Sequence, residues 1–352
     1  MWAALLALPA SLVLSHFTEP QSFLLSSCLM NFVQNGRFLE HEIDSLGIPS
    51  VQYKKLGGKT FHNPVYVAMY GLFYYDRYKG IRENAYFTDY YKIFASRRLD
   101  PETYKKRFLN TARWLKDNLQ IQQTDTLVYG VYLYPFPWPV YRLKAGWKSA
   151  MAQGVAAQIF LRAWRETGDS AYIQKAELAL KALLVPVEKG GVTLQDSENS
   201  WWYEEYADTF AVRSRVLNGM EHVLIALDEM FQATQDTFYK ILFDKGMNAL
   251  AENITKFSHP RMPWTWYDLD GHVANYKYHH VNINLTQKLY EMTQKDELKI
   301  FEKWKKMHAF YFIREFLKQK PDLVDIGILL INFCFSWGAL ILILSATRWF
   351  KV

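Results

Sequence analysis

The 352-residue sequence has only two cysteines, Cys28 and Cys334. Two thiols exclude a disulfide framework and cannot build a cysteine-based metal site. There is no arginine-rich arm, zinc-ligand spacing or aromatic RNA-binding motif, so nucleic acid is not expected as a partner. The adjacent His279 and His280 lack a third ligand at useful spacing, so no catalytic metal is expected. Neither sign of charge dominates. Lys and Arg number 41 against 35 Asp and Glu, and the surplus of +6 is spread thinly. Such a surplus suits a polyanionic substrate without demanding one. Proline is sparse and strand-like alternation is limited, so the chain from about residue 50 onward reads as helices joined by short turns.

Aromatic residues are abundant at 16%, with 23 Tyr, and half of the chain is hydrophobic. That is enough for a large core and too apolar for a disordered chain. The tyrosines suit a carbohydrate cleft as well as amphipathic helix faces. Ile326 to Thr347, IGILLINFCFSWGALILILSAT, is a 22-residue run without a charge. It exceeds the roughly 20 residues needed to cross a bilayer. Trp337, Trp349, Arg348 and Lys351 resemble interfacial anchors. At the other end, MWAALLALPASLVL lacks the positive n-region of a signal peptide, and a second apolar patch covers Phe23 to Val33. Residues 1–43 read as one secretory signal, cleaved or anchoring, with a first buried helix as the alternative.

A fragmentary repeat marks the interior. Three helices end in Thr-containing polar turns at Thr167, Thr234 and Thr293, followed by Asp169, Asp236 and Asp296 and then a new helical segment. Side chains of Thr and Asp accept hydrogen bonds from the free N–H groups at a helix start. Repeated αα-hairpins make an (α/α) toroid. The fold class expected is therefore mainly α: a toroid over 44–320, a small extended or β segment at Leu127–Ala145, and a transmembrane helix over 326–347. The long segments between hairpins, such as Val185 to Arg215, are expected to carry the site loops. Of the two sequons, at Asn253 and Asn284, only Asn253 is expected to be open to glycosylation.

Four blocks mix polar and aromatic residues where helix faces should be plain: FHNPVYVAMYGL from Phe61, GWKSAMAQG from Gly146, WYEEY from Trp202, and WYDL from Trp266 with YHH from Tyr278. Together with LNG at Leu217 to Gly219, these stand in the order and at the spacing of the D-glucuronyl C5-epimerases, which the sequence resembles from about Asp44 to Met307. The resemblance implies inversion of C5 in D-glucuronate, giving L-iduronate, within a heparosan-type polymer. It implies that Tyr206, Tyr267 and Tyr278 line the cleft beside Glu205. The same blocks supply the substrate-binding candidates Trp147, Lys148, Gln153, Tyr203, Asn218, His279 and Asn284. Two departures stand out. The β-sheet domain of the animal enzymes is absent, and Asp270 stands where those enzymes carry an Arg after the YDL block.

The chemistry accounts for these residue types. C5 epimerisation removes a proton alpha to a carboxylate and returns one to the opposite face. That needs an acid/base group on each face and cationic or hydrogen-bonding groups at the carboxylate. Glu205 suits one face and Tyr278 the other. His279, His280, Lys148, Arg213 and Arg215 are the available cations, and a nearby positive charge would lower a Tyr pKa. No redox cofactor is needed, because the adjacent carboxyl acidifies the C5 proton. The partners expected are an anionic uronate polysaccharide and a membrane, with room for a homodimer. The toroid is expected in the Golgi or secretory lumen, or otherwise outside the cytoplasm. Two rivals share the residues: a uronate polysaccharide lyase, which expels the C4 substituent after the same proton abstraction, and a glycan-binding membrane subunit without catalysis.

Overall fold

The computed structural model describes residues 2–35, 41–53, 56–81, 99–306 and 323–349. The chain divides into two compact units: one of residues 41–258 with 265–305, the other of residues 1–40, 259–264 and 306–352. Lys351, read as an interfacial anchor, lies outside the described residues.

The second unit is helical and holds α1 (Trp2–Phe17), α2 (Glu19–Asn35) and, at the far end of the chain, an apolar helix from Leu323 to Trp349. Within it, Leu323–Ala346 is the described helix long and apolar enough to cross a membrane.

The larger unit opens with a three-stranded antiparallel sheet, β1 (His41–Ile43), β2 (Pro49–Tyr53) and β3 (Lys59–Phe61). The expectation of helix from residue 50 gives way here. Gly57 and Gly58 both take positive φ, which turns β2 back onto β3. Helices then follow in pairs. They are α3 (Pro64–Lys79) and α4 (Pro101–Asn118); α5 (Ala150–Thr167) and α6 (Ser170–Lys181); α7 (Leu217–Thr234) and α8 (Thr237–Asn253); α9 (Tyr276–Thr293) and the short α10 (Ile300–Trp304). The C-terminal apolar helix is α11 (Leu323–Trp349). Helix α3 packs on α5, α5 on α7 and α7 on α9, while α4, α6 and α8 each lie against the inner helix before them. This is the alternation of an (α/α) toroid. Two hairpins complete the unit: β4 (Gln120–Gln123) with β5 (Val128–Val131), and β6 (Thr193–Ser197) with β7 (Ser200–Tyr203).

Local chemistry sets the helix ends. Asn63, Asp100, Ser149, Asp169, Asp236 and Asn275 each cap a helix by accepting a backbone N–H, a contact worth about 1 kcal/mol. In the repeated turns Thr167, Thr234 and Thr293 close the preceding helix instead, donating to Ala163, Met230 and Leu289 carbonyls. The third turn departs from the pattern. Lys295 stands at its cap without a side-chain bond, and a 3-10 turn follows over Asp296–Lys299.

The inner helices are buried almost all round, α5 from Ala150 to Leu161 without interruption. They approach closely. A Cβ on Gly154 of α5 would stand 3.0 Å from the Val223 Cα of α7. Asn253 is buried, and its amide donates to the Ala249 carbonyl at 2.8 Å. A glycan therefore has no access there, contrary to the expectation from its sequon.

Candidate active site

The inner helices all begin at one end of the arc, and a cleft of about 630 Å³ lies there. Asn63, Val65, Tyr66 and Met69 reach it from α3, Ser149 and Met151 from α5, Asn218 and His222 from α7, and Lys277, Tyr278 and Val281 from α9. Glu205 and Tyr206 follow β7, and Tyr134 and Trp147 come from the extended segments before α5. Helix N-termini carry partial positive charge, so four of them around one cleft favour an anion.

The paired glutamates have different surroundings. Glu204 is tied down: it accepts from Ser214 Oγ at 2.6 Å and from the Arg215 N–H at 3.0 Å. Arg215 holds that N–H in place from a left-handed conformation, φ 50°. Burial pushes the Glu204 carboxyl up to about 7 against these hydrogen bonds. Glu205 faces the cleft. Its Oε2 is buried and makes no hydrogen bond among the described residues. Burial lifts its carboxyl to about 8; the Tyr206 hydroxyl opposes the shift, and the Glu204 and Asp268 carboxylates add to it.

Around Glu205 the aromatic rings form a chain. Tyr134 stacks on Trp147 at 3.7 Å, and Trp147 lies 5.5 Å from Tyr206. The Tyr206 and Tyr267 hydroxyls are 3.4 Å apart, and the Tyr267 ring meets Tyr278 edge-on at 4.7 Å. Burial, and then the nearby Glu205 charge, raises Tyr206 and Tyr267 well above the usual phenol value. The expectation that cations lower these tyrosines is thus reversed. At neutral pH Tyr206 and Tyr267 are hydrogen-bond donors, not bases.

The cations named from the sequence lie elsewhere. Arg213 pairs with Glu188 at 3.1 Å and Arg215 with Asp196 at 2.6 Å. The Nδ1 of the buried His279 lies 3.1 Å from Thr265 Oγ1, and His280 packs on Tyr276 at 4.3 Å. Lys148 lines a second cleft of about 510 Å³ with Lys144, Asp208 and Phe210. Trp147 lines both clefts.

Of the other candidates, Glu205, Tyr206, Tyr278, Trp147 and Asn218 line the first cleft, and Tyr267 stands directly behind Tyr206 and Tyr278. Gln153 and Tyr203 are in the core: Gln153 donates to the Ser149 carbonyl, and Tyr203 to the Leu242 carbonyl at 2.6 Å. Asn284 is half-buried on α9 and outside the cleft lining. Asp270 is exposed, with its N–H on Asp268 Oδ1, and the position lies outside the cleft lining.

Sequence reasoning missed Lys277, the one Lys or Arg among the described residues that line the first cleft. Its signal was its place immediately before the Tyr-His-His block. It also missed His222, one helical turn beyond Asn218, which burial holds neutral by lowering it to about 3. Asp268 supplies the frame. This buried carboxylate accepts from Tyr141 Oη at 2.5 Å and from the His272 N–H at 3.0 Å, with His272 Nδ1 2.7 Å away. Tyr141 in turn packs on Tyr206 at 4.6 Å.

The fold and this cleft define an (α/α)-toroid protein with a carboxyl-and-tyrosine site suited to acid/base chemistry on an anionic ligand. Residues 125–306, more than half of the chain, match the family model described as D-glucuronyl C5-epimerase C-terminus. The chain belongs to this family. It is 40% identical to the D-glucuronyl C5-epimerase of Caenorhabditis elegans over 90 residues, which are 26% of this chain and 14% of that protein. It is 28% identical to an uncharacterized protein of Methanocaldococcus jannaschii over 229 residues, 62% of this chain and 72% of the relative. Among solved structures, it is similar to an unsaturated glucuronyl hydrolase from Streptococcus agalactiae, with a TM-score of 0.38 and 12% identity over 90% of each chain.

Proposed function

We propose that the first cleft inverts C5 of a D-glucuronate residue within a heparosan-type polysaccharide. The observation that carries this reading is the Glu205 carboxyl, whose Oε2 is buried and makes no hydrogen bond among the described residues, in a cleft it shares with Tyr206, Tyr278 and Lys277. Glu204, the neighbouring carboxylate outside the cleft lining, accepts hydrogen bonds on both oxygens instead. A carboxyl raised to about 8 is a much stronger base than an ordinary Glu, and its proton comes and goes near neutral pH.

In this reading the uronate carboxylate lies among the helix N-termini, with Lys277 and Asn218. Glu205 takes the C5 proton, and the electron pair passes into the carboxylate to give an enolate-like dianion. Lys277 and the protonated Tyr206 stabilise that charge. Tyr278 delivers its hydroxyl proton to the opposite face, leaving a phenolate. A proton must then pass from Glu205 to Tyr278, by way of solvent, before the next turnover. In reverse, each group takes the other's role.

Turnover of heparosan in D₂O tests the proposal. Deuterium is expected at C5 of both glucuronate and iduronate. Glu205→Gln and Tyr278→Phe should each cut the rate by roughly 10²-fold or more, the scale for removing a general acid or base. Wild-type rates in both variants would place the chemistry elsewhere. An unsaturated product with shortened chains would make the protein a lyase.

We also propose that α11 anchors the protein in a membrane with the toroid outside the cytoplasm. Its predominantly apolar 24-residue stretch, Leu323–Ala346, supports the anchor. Extraction by alkaline carbonate without detergent would refute the anchor, and digestion of the toroid from the cytoplasmic side of sealed vesicles would reverse the orientation.

A further inference from the structure

The N-terminal helices lie alongside α11. Thr18 Oγ1 donates to Asn332 Oδ1, and Asn332 Nδ2 donates to Ser22 Oγ, each at 2.9 Å. Ser26 Oγ donates to the Val324 carbonyl at 2.8 Å. Residue numbers rise on one side as they fall on the other, so the two segments run antiparallel. Helices α1 and α2 follow one another along the same partner.

The pairing is inside out for a protein in water. The face that α1 and α2 bury carries Ser11, Ser15, Glu19, Ser22 and Ser26, spaced three or four residues apart. The buried face of α11 carries Asp325, Ile328, Asn332 and Ser336 at the same spacing. The large apolar side chains point outward: Leu5, Leu8 and Val13 on α1, and Leu330, Phe335 and Leu342 on α11. In water a helix pair gains roughly 25 cal/mol for each Å² of apolar surface that it buries, so it would hide its leucines and expose its serines. In hydrocarbon that gain vanishes. Close backbone packing over small residues, with Ser, Thr and Asn bonding across the interface, then holds helices together. The approach here is of that kind, since a Cβ on Gly327 would stand 2.1 Å from Ser26 Oγ. The 16 residues of α1 with the first turn of α2 reach the roughly 20 required for a span.

We propose that α1 and the start of α2 are retained in the mature protein and cross the bilayer beside α11, so that the anchor is a two-helix hairpin embedded in lipid. This rests on the reading of α11 as a membrane anchor. It takes the anchoring form of the N-terminal expectation over the cleaved one and adds a second span: Asn35 and Leu323 lie at one end of the hairpin, and residues 2 and 349 at the other.

Full-length protein carrying one epitope before residue 2 and another after residue 352 tests the hairpin in sealed vesicles. Both epitopes should stay on the membrane-embedded chain, and both should be digested from the same side. With Cys28 and Cys334 replaced by Ser, oxidation of the Thr18→Cys, Asn332→Cys double variant should give an intramolecular cross-link that a reductant reverses. Loss of the N-terminal epitope from a chain that still resists carbonate would overturn the hairpin and leave the α11 anchor standing. Epitopes on opposite sides would do the same. Release of the intact chain by carbonate would overturn both.

Discussion

Gly219 lies against the Glu205 carboxyl, and a Cβ on this glycine would stand 2.5 Å from Oε2 and 2.7 Å from the Glu205 Cβ. The first turn of α7 thus leaves the space that Glu205 occupies, which gives the Leu-Asn-Gly block a physical purpose. Gly219→Ala should move Glu205 off its position while slightly favouring the helix itself. Misplacing a reacting group by about 1 Å costs on the order of 10²-fold in rate. Steady-state kinetics should show that loss with near-normal circular dichroism, and unchanged kcat would mean that Glu205 does not act from this position.

The raised carboxyls set a pH dependence. Glu205 titrates near 8 when folded and near 4.5 when unfolded, so between those values the unfolded chain releases a proton that the folded chain keeps. Stability contributed by this group is therefore present below about pH 4.5, falls as pH rises toward 8, and levels off above it. Glu204, raised to about 7, adds a slope of the same sign. Glu205→Gln should stabilise the protein at neutral pH, by on the order of 2 kcal/mol, and flatten part of the decline in Tm between pH 5 and 8. Activity should run the other way, rising with pH up to about 8 as the base ionises. A Tm slope identical in Glu205→Gln and wild type would refute the burial argument.

We infer that Asp268 positions Tyr206 through Tyr141. Its carboxylate holds Tyr141, and the Tyr141 ring supports Tyr206. Asp268→Asn weakens a charge-assisted hydrogen bond and should cost about 2 kcal/mol of stability in denaturant titration. If positioning is its role, kcat should fall about 10-fold with KM little changed, and the pH profile should shift downward because a negative neighbour of Glu205 is gone. An unmoved profile would reduce Asp268 to a structural part.

Lys277 and Lys148 should separate by substrate length. Lys277 lines the first cleft and Lys148 the second. Lys277→Met should lower kcat/KM at least about 10-fold on every substrate, short or long, with kcat falling as well as KM rising, because the contact both holds the carboxylate and stabilises the charge that develops on it. Lys148→Ala should leave a short oligosaccharide unaffected and weaken only longer polymers that reach past Trp147. Equal effects on both lengths would mean that one sugar touches both lysines.

Much of the fold was legible because its determinants are local. Thr167 and Thr234, followed by Asp169 and Asp236, mark helix stop and restart through bonds to residues two to four positions away. The N-terminal sheet was not legible, since its strands have three to five residues and little alternation to read.

The sequence by itself determined the αα-hairpins, the apolar length of α11 and the family, because these rest on local hydrogen bonds, composition and ordered motifs. Tertiary structure alone decided which neighbours in sequence share a site. Glu204, just past β7, is bound to Ser214, while Glu205 and Tyr206, in the bend that follows, enter the first cleft. Trp147 lines both clefts, but its neighbour Lys148 lines only the second. The proposed hairpin rests on the same kind of information, since Thr18 and Ser22 meet Asn332 from more than three hundred residues away in sequence.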